Sequence, residues 1–168
     1  MTTSIKGRAF EKYIEDKLKI RTDTNKNNQL MGKESESLLG LEMKSNEKAD
    51  YMGCYIEIWE KSNKYEERWR WSKWIISSYI NFMICGNKEM FWILEASKLR
   101  VEALKKLEIS TVEESEIIEI DAGTSAGFTI NKKDLDKLCI VKFDKKKGSG
   151  LINLKSERLI KEIKKYEI

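Results

Sequence analysis

The tightest constraint on this chain lies between Gly40 and Lys61, in GLEMKSNEKADYMGCYIEIWEK. Two strand-like apolar runs there each carry a carboxylate in mid-run. Glu42 stands between Leu41 and Met43, and Glu57 between Ile56 and Ile58. Burying a carboxylate in a sheet is costly unless a partner compensates, so both acids need something to face. Side chains alternate along a strand, so Glu42 and Lys44 share one face while Leu41 and Met43 take the other. The prediction is a strand with Leu41 and Met43 buried and with Glu42 and Lys44 lining a cleft.

Two absences narrow the chemistry. The chain has no histidine, which excludes Ser-His-Asp and Cys-His hydrolases, His-based nucleases and imidazole-ligated zinc sites. It has no proline either, so Gly, Asn, Asp and Ser must make the turns. What remains is chemistry by carboxylates, lysines, hydroxyls and a hard metal ion. The three cysteines, Cys54, Cys85 and Cys139, are odd in number and widely spaced, which suits reduced thiols in a cytoplasmic protein. No apolar run approaches the roughly 18 residues of a membrane span, and MTTSIKGRAFEKY lacks a secretory apolar region. With 168 residues, a single domain spanning 1–168 is expected. The net charge of +4 is compatible with nucleic-acid binding and equally with a solvated lysine-rich surface.

Periodicity supplies the other elements. GRAFEKYIEDKLKI sets Phe10, Tyr13, Ile14 and Leu18 on one helical stripe, with Glu11 at its edge and Glu15 and Asp16 turned to water. RTDTNKNNQLMGKESES is polar and turn-rich, a loop. SYINFMICGNKEMFWILEA fits a hairpin split at Gly86-Asn87, and SKLRVEALKKLEI fits a helix. SEIIEIDAG and FTIN fit short strands, KKDLDKLCIVKFD a helical turn leading into a strand, and the last dozen residues a basic helix. KYEERWRWSKWI is expected to be a short helix or structured loop. The fold class is α/β, with a mixed central sheet flanked by helices.

A helix edge and two strands can therefore converge Glu11, Glu36, Glu42 and Glu57 on one lysine. Packed acids repel, and a divalent cation resolves the repulsion; Mg²⁺ takes oxygen ligands and keeps waters and substrate phosphate oxygens in its shell. A nearby ammonium then orients the attacking water and steadies developing negative charge. Taken alone, Glu-x-Lys is a common triplet whose ordinary meaning is a surface ion pair worth under roughly 1 kcal/mol.

In order, GRAFEKYIEDKL, then SLLGLEMKS, then the acid-bearing strand YIEIWEK resemble the PD-(D/E)XK, or restriction-endonuclease-like, nucleases, Holliday-junction resolvases among them. ESLLGLEMKSNEKADYMGCYIEIWEKSN, SSYINFMICGNKEMFWIL and TSAGFTIN are similar to small phage-type and bacterial members. The resemblance covers roughly the first two-thirds of the chain and the short AGF element. It implies a restriction-endonuclease-like core and a Mg²⁺- or Mn²⁺-dependent DNA endonuclease. On that basis Glu42 is the second acid, Lys44 the signature lysine, and Glu11 the helix acid that assists metal binding. The chain departs from the pattern at the first acid, where no Asp stands; Glu36 takes the place, with Glu34 in reserve. Glu57 is an additional acid, either a ligand or an orienter of Lys44 or Lys61. DNA is the expected partner, a homodimer suits cutting of both strands, and no membrane is involved. Two other classes compete: a non-catalytic nucleic-acid-binding module on the same fold, and a phage-type protein that binds a host protein.

Three further features take their plainer meanings. Trp69, Trp71 and Trp74 among Arg68, Arg70 and Lys73 offer base stacking, but core cover with outward-reaching stems is preferred. Thr124–Phe128 is expected to be a glycine turn between strands rather than a phosphate cradle. DKKKGSG is expected to be a solvated loop rather than a DNA clamp.

Overall fold

The computed structural model describes residues 5–18, 41–109, 117–120 and 124–147. The loop expected over residues 21–37, with Glu34 and Glu36, and the basic C-terminal helix lie outside the described residues, as does part of DKKKGSG.

The chain runs α1 (Ile5–Leu18), β1 (Leu41–Ser45), α2 (Ala49–Met52), β2 (Cys54–Glu60), β3 (Arg70–Trp71), α3 (Lys73–Ile76), β4 (Phe82–Gly86), β5 (Met90–Glu95), α4 (Ala96–Ile109), β6 (Ile118–Ile120), β7 (Ser125–Ile130), α5 (Lys132–Leu138) and β8 (Cys139–Asp144), ending in a 3₁₀ turn at Lys145–Lys147. This is an α/β arrangement, with a mixed four-stranded sheet of order β1-β4-β5-β8 and a small antiparallel sheet of order β3-β2-β7-β6. In the mixed sheet β1 runs parallel to β4, while the β4–β5 and β5–β8 pairs are antiparallel.

The two periodicities explain this layering. The apolar stripe of α1 (Phe10, Ile14, Leu18) buries itself on one face of the mixed sheet, against Leu41, Met43, Ile84, Phe91, Ile93, Val141 and Phe143. Alternate residues of the same strands, Met83, Cys85, Trp92 and Leu94, enter a second core with Ile56, Ile58, Phe128 and Ile130 of the small sheet and with α4 and α5. A central strand buried on both faces reads as a continuous apolar run, as MFWIL does. The hairpin falls where Gly86-Asn87 put it. Gly86 has φ +147°, and a Cβ there would collide with the backbone of Met90 and Phe91. The Asn87 side-chain oxygen then accepts from the Glu89 and Met90 amides, closing the turn.

Two expectations need correction. Thr124–Phe128 is not a glycine turn: Ser125 to Ile130 form β7, pairing with both β2 and β6. The Trp-rich segment divides. Trp74 is fully buried, whereas Trp71 is 42 % exposed and packs on Trp59 at 5.5 Å, and Lys61 lies over the Trp69 ring at 4.1 Å. Core cover holds for Trp74 alone. Cys54 and Cys85 are buried free thiols and Cys139 is half-buried. No helix among the described residues is long and apolar enough to cross a membrane.

Candidate active site at the junction of the two sheets

Among the described strands β1 lies at one end of the mixed sheet, and its alternation sets the site. Leu41 and Met43 are 0 % and 4 % exposed against α1, which leaves Glu42 and Lys44 on the face that meets β2. Lys44 Nζ lies 3.0 Å from Glu42 Oε1 and 3.9 Å from Glu57 Oε1. The two carboxylate side chains are 14 % and 18 % exposed and the lysine 33 %, so the lysine side chain is more exposed than the acids it joins. The two strands are also tied where they begin and end, by the Tyr55 amide donating to Asn46 Oδ1 at 2.8 Å.

Glu57 is held on every side. The Ser72 hydroxyl donates to Oε1 at 2.9 Å and the Ser125 hydroxyl to Oε2 at 2.7 Å. Ser72 and Ser125 are themselves buried, at 2 % and 4 % exposure. Since the single Ser125 proton is committed to Glu57, the Tyr55 hydroxyl, 3.0 Å from Ser125 Oγ, is the donor of that pair. The Trp74 indole N–H fixes the backbone as well, donating to the Glu57 carbonyl at 2.6 Å. Two separate segments, the turn into α3 with Ser72 and Trp74 and the start of β7 with Ser125, thus supply three donors to one residue.

A bulge brings in an acid that strict alternation assigns to the other face. Glu57 pairs with Gly127 but Trp59 with Ala126, so β2 carries one residue more than β7 over that step. Ile58 and Trp59 consequently both pack on the core, and Glu60 comes within electrostatic reach of Glu57, Lys44 and Glu42. Gly127 permits the close approach: a Cβ there would press into the Ile56 carbonyl. The Glu60 carboxyl is raised above the usual range, first by burial and then by the Glu57 charge, with Lys44 and Lys73 opposing. Glu11, on the half-buried edge of α1, is likewise raised by burial. Arg8 and Lys44 lower it, and Glu15 and Glu42 push it up. Glu11 and Glu60 therefore feel the same charges that Glu42 and Lys44 present.

Of the residues chosen from the sequence, Glu42, Lys44 and Glu57 come together, and Glu11 stands at their margin within electrostatic reach. Glu36 and Glu34 lie outside the described residues. Lys61 belongs to the Trp69 ring, so the cation beside Glu57 is Lys44. Sequence reasoning missed Glu60, Ser72 and Ser125. The string YIEIWEK holds Glu60 in plain view, but only the bulge changes its face; no pattern marked the two serines. Among the described residues, no three acid or thiol side chains stand together as a metal-holding group. Comparisons with protein-family models, curated proteins and solved structures gave no match.

Proposed function

We propose that this chain is a Mg²⁺-dependent nuclease that hydrolyses phosphodiester bonds in DNA, with a restriction-endonuclease-like core of the PD-(D/E)XK type. The observation that carries the reading is the Glu42–Lys44 pair on one face of β1, with Glu57 of the next long strand at the same ammonium. A surface ion pair needs only two partners in water. Here two carboxylates, mostly withdrawn from solvent, share one lysine, and two further acids lie near enough to be raised by burial and to respond to the same charges.

That donor chemistry fits a hard cation. All the acids offer oxygens, and their negative charges exceed what Lys44 neutralises. Mg²⁺ is commonly held by only one or two carboxylates, the rest of its shell being water and substrate phosphate. Glu42 would hold it, with Glu36 and Glu11 as the further donors inferred from the sequence. When bound, the ion supplies Lewis-acid polarisation of the phosphodiester and offsets its charge. Lys44 donates a hydrogen bond to the attacking water, fixing its line of approach, and its positive charge stabilises the negative charge that builds on the phosphoryl oxygens. The excess of carboxylates at the site repels a phosphate backbone until a cation enters, which couples DNA engagement to metal. A homodimer would present one such site to each strand of a duplex.

The test is incubation of the purified chain with supercoiled and linear DNA in Mg²⁺, in Mn²⁺ and in EDTA. Cleavage with either metal and none in EDTA is the expected outcome. DNA binding without cleavage under all conditions would favour the non-catalytic binding module, and neither binding nor cleavage would favour the host-protein binder.

A further inference from the structure

The acid on β2 has a different task from the acid on β1. Glu42 meets the lysine directly, at 3.0 Å. Glu57 already has a hydroxyl on each oxygen, at 2.9 Å from Ser72 and 2.7 Å from Ser125, and its Oε1 faces Lys44 at 3.9 Å. The capping hydroxyls come from buried serines, one just before α3 and one at the start of β7. Turning Glu57 toward an incoming ligand would strand both hydroxyls without an acceptor, which is expensive in a dry pocket.

We propose that Glu57 is a positioning residue rather than a metal ligand: Ser72 and Ser125 clamp its carboxylate in one orientation, and the clamped carboxylate holds the Lys44 ammonium at the mouth of the acid cluster. The catalytic consequence rests on the nuclease reading above; the clamp itself does not. Hydroxyl donors suit this task because they fix both carboxylate oxygens in place while adding no competing cation. The Trp74–Glu57 backbone bond and the Gly127 contact fix the strand on which the clamp is built, so the geometry does not depend on the side chain alone. Lys44 thereby has a short contact to Glu42 and a longer one to Glu57, an arrangement that directs it between two strands rather than along one.

The experiment compares Glu57→Gln and the double variant Ser72→Ala/Ser125→Ala with the parent by two independent readouts, after thermal unfolding has verified that each is folded. The first is the rate at which an amine-acylating reagent labels each lysine, followed by peptide mass spectrometry. Labelling of Lys44 should rise about 3- to 10-fold in both variants, because the charge or the orientation that engages its ammonium is gone. Labelling of Lys142 and Lys145, paired with Asp136 and Glu89 elsewhere in the molecule, should not change. The second is metal-dependent DNA cleavage. Here kcat should fall about 10- to 100-fold in both variants, while the Mg²⁺ half-saturation and the KM for DNA stay within about 2-fold of the parent. Unchanged Lys44 labelling in both variants overturns the clamp. So does a Mg²⁺ half-saturation raised more than about 10-fold by Glu57→Gln with the serine variant unaffected, since that marks Glu57 as a ligand and leaves the nuclease reading standing. If the parent cuts nothing while Lys44 labelling rises as expected, the clamp stands and the nuclease reading falls.

Discussion

Arg100 of α4 should be the most costly single side chain to remove outside the apolar cores. Its Nε and Nη2 donate to four backbone carbonyls, those of Trp74, Ile75, Ser77 and Ile80, at 2.7–3.2 Å. Among the described residues no carboxylate pairs with it; the carbonyl dipoles at the end of α3 and in the following turn take that place. Burial lowers its pKa, but a guanidinium remains charged. Arg100→Met keeps an apolar stem and removes every donor. A hydrogen bond from a charged donor contributes about 1.5–3 kcal/mol, and four orphaned carbonyls would cost several times that if they stayed dry. Arg100 is only half-buried, so water reaches part of the gap, and the expected net loss is about 2–4 kcal/mol. For a chain of this length that is a fall in Tm of roughly 5–15 °C. Arg100→Lys should recover less than half of the loss, because one ammonium cannot span four acceptors. Urea unfolding followed by tryptophan fluorescence measures both variants. A loss below about 0.5 kcal/mol for Arg100→Met would mean that these hydrogen bonds contribute little to stability, as would equal stability of Lys and Arg.

Three other outcomes follow from the same contacts. Trp74→Phe removes a fully buried indole and leaves the Glu57 carbonyl without its donor, so it should cost about 2–4 kcal/mol in denaturant unfolding. Gly127→Ala drives a methyl into the Ile56 carbonyl and should cost at least about 1–3 kcal/mol, with amide exchange in β2 and β7 accelerated around Glu57. Burial alone would raise the Asp136 carboxyl, but the Lys142 ammonium and the Trp92 indole N–H outweigh it and leave it low. A depressed folded-state pKa contributes stability above the unfolded value of about 3.9 and loses it as pH falls through the folded value. Asp136→Asn should therefore destabilise the protein near neutral pH, and the gap to the parent should narrow below about pH 4 when unfolding is compared at pH 6 and pH 3.

What the sequence conveyed depended on whether a pattern was periodic. The stripe of α1, the alternation of LEMK and the Gly-Asn hairpin each obey one period, and each appears where that period puts it. Even the marginal position of Glu11 follows from its angle to Phe10 and Ile14. Irregularity was the obstacle elsewhere. Glu60 changes face through a bulge whose only sequence mark is a glycine on the partner strand, 67 positions away. That glycine itself reads as a turn, because Ser-Ala-Gly carries turn chemistry, but pairing on both sides overrides it. The separation of the strands into two sheets was equally hidden, since apolar runs reveal burial but not which neighbour provides it. Ser72 and Ser125 look like any surface hydroxyls until the fold buries them against one carboxylate.

Glu42 and Lys44 are proposed to form a catalytic pair with divided labour, and one calorimetric experiment separates the two tasks. Mn²⁺ is titrated into the parent, Glu42→Ala and Lys44→Ala, and each protein is assayed for DNA cleavage in the same buffer. Divided labour requires that both variants lose cleavage, that Lys44→Ala binds Mn²⁺ as the parent does, and that Glu42→Ala binds it at least about 10-fold more weakly. Cleavage at the parent rate by either variant, or a parent that neither binds Mn²⁺ nor cuts DNA, would contradict it.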